Sequence, residues 1–204
     1  MFEEIIFQKL WIILPLWLVL YFSDYYLTIL GAHYYKAGGC EHLIFEGSYE
    51  LTPQFQPDID ALSMFSPKFM RGIIISTIVI VVLWFFSRNE KDFLLPYRFI
   101  CGGLVLLEVA ILFRHFQSIV TFWFALKHRG ISGQIRYEKW LSYRLSAVEL
   151  FSFATVFLIV CLFTGSVSFF GGSCFTACTG LNHLKMSKKA AREKSAGTVA
   201  QEKK

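Results

Sequence analysis

The chain has 204 residues, 55% of them hydrophobic and 18% aromatic, with a formal net charge of +5 and a mean hydropathy of +0.50. A soluble domain is about 45–50% apolar, so this composition points away from a soluble enzyme and toward one all-α integral membrane domain. The charge is uneven. The first 184 residues balance, and the surplus lies in the tail from Lys185 onward, KMSKKAAREKSAGTVAQEKK.

The organisation expected is a transmembrane bundle over residues 1–184 and a basic, flexible tail over 185–204. The tail lacks the apolar residues for a core. It reads as a cytoplasmic positive anchor rather than a nucleic-acid arm, so no nucleic-acid partner is expected. The amino terminus carries Glu3 and Glu4 and no small-residue cleavage site, which argues for a retained first helix.

Four spanning helices are expected. The first begins near Trp11 and ends near Gly31, with Pro15 in its early turns, where a missing amide does least harm. It carries Asp24, and an acid within a span costs about 2.5 to 3.5 kcal/mol on insertion scales, so it usually faces other helices or water. Asp24, Thr28 and Gly31 share one helical face. Asp24 could equally be an interhelical lock.

Residues 32–71 form a long connection, read as a cap over one mouth of the bundle. Between Pro57 and Pro67 the recurrence of Ile59, Leu62 and Phe65 suits a short amphipathic helix on the bilayer surface. Asp24-x-x-x-Thr28, followed by Glu50-Leu51-Thr52-Pro53, resembles a family of small polytopic membrane proteins of unknown function, with an Asp-x-x-x-Thr helix and a Glu-x-Asn-Pro turn. The likeness covers the first third of the chain, and Thr52 stands where the family has Asn. It implies that Asp24, Thr28, Glu50 and Pro53 form one constellation. It implies no reaction.

The second helix, Gly72 to Ser87, is a clean apolar run between Arg71 and Arg88. Its sixteen residues give about 24 Å against a hydrocarbon core of roughly 30 Å, so extension back to Phe69 or snorkelling is expected. The third, Phe99 to Leu126, is interrupted by Glu108, Arg114 and His115. Glu108 and His115 are seven residues apart and share a face, which places them in the bundle interior or a water-filled cavity. A break near Arg114, or a re-entrant course, is an alternative.

The fourth helix runs from about Leu141 to Phe170, with Ser142, Ser146, Glu149 and Ser152 on one stripe and Arg144 near its start. GGSCFTACTG follows as a loop or a small-residue packing surface. Cys174, Cys178 and His183 are weak metal-ligand candidates, lacking a fourth ligand and zinc-finger spacing. Four crossings and the basic second connection and tail place both termini in the cytoplasm of a multi-pass cell-membrane protein. The connection after the third helix, with Lys127, Arg129, Arg136 and Lys139, conflicts with that arrangement.

The polar cluster expected is therefore Asp24, Thr28, Glu50, Glu108, Arg114, His115, Arg144 and Glu149. Buried acids beside a histidine relay protons or bind cations, so the leading expectation is an ion, proton or small-solute pathway, with an oligomer supplying any pore. An accessory or scaffolding subunit of a larger membrane complex is the alternative, with the charges as interhelical glue. A lipid-modifying enzyme comes third. G-x-S-x-G, H-E-x-x-H, GxGxxG and Walker sequences are all missing, and no cofactor is expected.

Overall fold

The computed structural model describes residues 9–47, 50–127 and 133–202, with side chains described to residue 195. The protein is an all-α membrane bundle, with four helices long and apolar enough to span a bilayer. In chain order the helices are α1 (Leu10–Lys36), the short α2 (Gln56–Asp60), α3 (Pro67–Asn89), α4 (Leu94–Lys127), α5 (Lys139–Thr164) and α6 (Val167–Glu202).

The first three spans outrun their apolar stretches in the sequence. Ser66 caps α3 by accepting from the Phe69 amide and donates to Asp58 at 2.6 Å, so the helix starts at Pro67 and gains the length the run from Gly72 lacks. α4 is continuous through Arg114, neither broken nor re-entrant. α5 stops at Thr164, before the expected Phe170, because Gly165 takes φ 66° and ends the helix in the left-handed conformation.

GGSCFTACTG is helix, not loop. It belongs to α6, which turns back beside α5 with Ser173 bonded to the Ala154 carbonyl and Ser187 to the Trp140 carbonyl. Its small residues also seat it on α4: a Cβ at Gly171 would lie 2.0 Å from the Phe99 carbonyl oxygen, and one at Gly102 2.5 Å from Ser168. The helix runs on through the basic segment to Glu202, where the sequence suggests a flexible tail, and Lys194 pairs with Glu138 at 2.5 Å.

On the other side of α4, α1 and α3 run antiparallel. Ile13 and Trp17 pack with Ile80, Tyr97, Cys101 and Val105 at one end of the bundle. Tyr25, Ile29 and Ala32 pack with Ile59, Phe69 and Ile73 toward the other. At that second end the two long connections meet. β1 (Leu43–Phe45) and β2 (Ile135–Tyr137) form a parallel two-stranded sheet, with Leu43 opposite Ile135. The cap helix is shorter than expected: α2 closes at Asp60, Ile59 is buried, and Phe65 is exposed beyond it.

α6 folds back along α5, so Leu10 and Lys194 lie at opposite ends of the bundle. The cap connection, the connection after α4 and the basic end of α6 share one end. Arg129 lies outside the described residues.

Candidate functional site

Five of the eight expected cluster residues, Asp24, Thr28, Glu50, Arg114 and His115, line one cavity of about 100 Å3 beneath the cap, together with Tyr21 and His183. α1 delivers Asp24 and Thr28 because they are one turn apart. α4 delivers Arg114 and His115 as consecutive residues, which a helix separates by about 100°, so one faces α1 and the other α5 and α6.

His115 Nε2 lies 2.9 Å from Asp24 Oδ1 and 3.1 Å from Thr28 Oγ1. The Thr28 hydroxyl donates its only proton to the Asp24 carbonyl at 2.8 Å. It can only accept from the imidazole, so Nε2 carries hydrogen and gives it to Thr28, while Asp24 Oδ1 stands beside that bond with no hydrogen bond of its own.

Arg114 forms the second arm. Its Nη1 donates to Ser146 Oγ, which also bonds His183 Nδ1 at 2.8 Å. This occupies His183 with a hydroxyl rather than a metal, and among the described residues no group of three His, Cys, Asp or Glu side chains could hold an ion. The suggested Cys174, Cys178 and His183 set is not assembled.

Glu50 is buried at the mouth of the cavity, where its Oε1 accepts from the Thr52 amide at 2.6 Å. Thr52 O receives the Phe55 amide at 3.0 Å, so Pro53 sits in a turn that presents Glu50, while Pro53 itself is exposed. Glu149 lines a second cavity, of about 220 Å3, whose walls also include Glu50, Arg114 and His115. Glu108 lines neither. It is only 7% exposed, its Oε2 has no hydrogen-bond partner, and it lies within Coulombic reach of Asp24.

Arg144 departs from the expectation. It is exposed and lines neither cavity, because two positions on a helix separate it by about 200° from the inward-facing Ser146. Sequence reasoning treated His183 only as a metal candidate. The signal for its place was the recurrence of Ser173, Thr176, Gly180, His183 and Ser187 at intervals of three and four, all of them buried.

No family model, no curated protein and no solved structure matches the chain.

Proposed function

We propose that the protein passes a proton, or a small cation, across the bilayer by way of the Asp24–His115 centre. The observation that carries this reading is the acid–histidine pair, 2.9 Å apart and lining a polar cavity, with Glu108 buried about 10 Å further along α4. Ionisable groups are kept inside a bundle at a cost, and an imidazole beside a carboxyl group is the side-chain chemistry that passes a proton from one site to the next.

Toward the far end the bundle is filled by Trp17, Ile80, Tyr97 and Cys101, all essentially inaccessible. Passage through this chain therefore proceeds by alternating exposure of the centre rather than through a standing pore. Lys127, Arg136, Lys139 and the basic end of α6 share the cap end, which by the positive-inside rule faces the cytoplasm.

The test is reconstitution into liposomes that hold a pH-sensitive dye, with valinomycin and potassium clamping the voltage. Vesicles containing the protein should dissipate an imposed pH gradient faster than empty vesicles. Equal rates would overturn the reading.

A further inference from the structure

The second cavity is unlike the first in its walls. It lies between α4 and α5 under the two-stranded sheet, and Phe45, Phe122 and Tyr137 line it together with Glu50 and Glu149. The rings form one cluster: Phe45 stacks on Tyr137 with centroids 5.1 Å apart and meets Phe122 edge-on at 6.2 Å.

The cavity opens sideways. Gln117, Thr121 and Leu145 line it and are also exposed on the outer surfaces of their helices. α4 is about 51 Å long, so Thr121 lies roughly 16 Å from its midpoint, at the edge of a hydrocarbon core about 30 Å thick. A solute would therefore enter from the headgroup boundary, where amphipathic molecules concentrate.

The charge selects the solute. Glu50 and Glu149 face one cation, Arg114, whose Nη1 is turned to Ser146, and Asp24 lies just behind His115. An anion entering here would meet an acidic excess. A cation would meet two carboxyl groups and aromatic faces, the combination that binds substituted ammonium groups. A dry cavity of about 150 Å3 holds benzene, so about 220 Å3 has room for a headgroup-sized cation but not a whole lipid.

We propose that this lateral cavity binds a monovalent, amphipathic organic cation drawn from the bilayer; as the species exchanged for the proton, it rests on the reading above. Glu50, Arg114 and His115 line both cavities, so protonation of the Asp24–His115 centre and occupation by the cation act on the same walls. The two positive charges then oppose each other, as exchange requires.

The experiment is equilibrium binding of radiolabelled benzyltrimethylammonium to the full chain in lipid nanodiscs, with benzenesulfonate as the anionic counterpart. Saturable binding is expected in the wild type. It should weaken tenfold or more in Glu149→Gln and several-fold in Phe122→Leu, and recover in part in Glu149→Asp, which also reports that the fold is intact. Absence of saturable binding, tighter binding of the sulfonate, or equal affinity in all variants overturns the proposal. Proton flux separates the two readings: vesicles that dissipate a pH gradient without ammonium binding retain passage and lose this site, and binding without flux retains the site and loses passage.

Discussion

Asp24 Oδ1 and His115 Nε2 stand 2.9 Å apart and tie the first helix to the middle of the fourth. Because the Thr28 hydroxyl proton is committed to a backbone carbonyl, its oxygen accepts the imidazole N–H, and the Asp24 carboxylate oxygen lies beside that bond without a hydrogen bond of its own. Thr28→Val should therefore leave a buried donor without its acceptor and cost about 1–3 kcal/mol of stability. Asp24→Asn removes no hydrogen bond from the imidazole and should cost less. Thermal unfolding in detergent of the two variants checks the order.

The α4–α6 seam depends on the absence of side chains. A methyl at Gly171 would overlap the Phe99 carbonyl oxygen, a backbone atom that cannot rotate away. Gly171→Ala should destabilise by about 1–3 kcal/mol through overpacking. Gly47→Ala meets no neighbour, although it carries the strain of a φ of 94° in a loop, and should leave the helix seam unaffected. Hydrogen exchange on α6 amides distinguishes the two: protection falls across α6 in the first variant and not in the second.

The polar centre was legible because helical spacing is a strong signal: Asp24 with Thr28, and Glu108 with His115, fall on inward faces as a period of 3.6 requires. The packing of α6 was not, because Gly, Ser, Cys and Thr lower its hydropathy. Its stability comes from close backbone approach, which hydropathy does not measure. The β1–β2 pairing was hidden for a different reason: three-residue strands some ninety positions apart carry no local pattern. Arg144 was misplaced because charge near a helix start was read without fixing the helix phase.

Glu138 and Lys194 hold the end of α6 against the start of α5. The ammonium of Lys194 and the indole N–H of Trp140 keep the Glu138 carboxyl below its ordinary range. A depressed carboxyl value means that the contact is complete above about 4.5 and is lost as pH falls through the lower folded value. Tryptic cleavage after Lys188, Lys189 or Arg192 should accelerate in Glu138→Gln at neutral pH. In the wild type, hydrogen exchange at the end of α6, corrected for intrinsic pH effects, should rise as pH falls below the ordinary carboxylate range. Both effects should shrink in high salt, because the pair is exposed.

The return of α6 along α5 fixes which segments share an end of the bundle. Cys40 in the cap connection is exposed, and Asn89 at the end of α3 is exposed at the opposite end of the bundle. In a background with the other cysteines replaced, an impermeant maleimide should label Cys40 and an Asn89→Cys variant from opposite faces of sealed vesicles. A cysteine at Lys188, on α6 past α5, should label from the same face as Cys40. A tail residue labelling with position 89 would contradict the return of α6.

The most direct test of the central claim compares pH-gradient dissipation by vesicles containing wild type, Asp24→Asn, His115→Gln and Arg144→Gln, each confirmed as folded by its unfolding temperature. Removing either partner of the Asp24–His115 pair should reduce the protein-dependent rate at least tenfold, and Arg144→Gln, which lies outside both cavities, should leave it unchanged. Wild-type rates in Asp24→Asn and His115→Gln would contradict the account and reduce the Asp24–His115 pair to an interhelical contact.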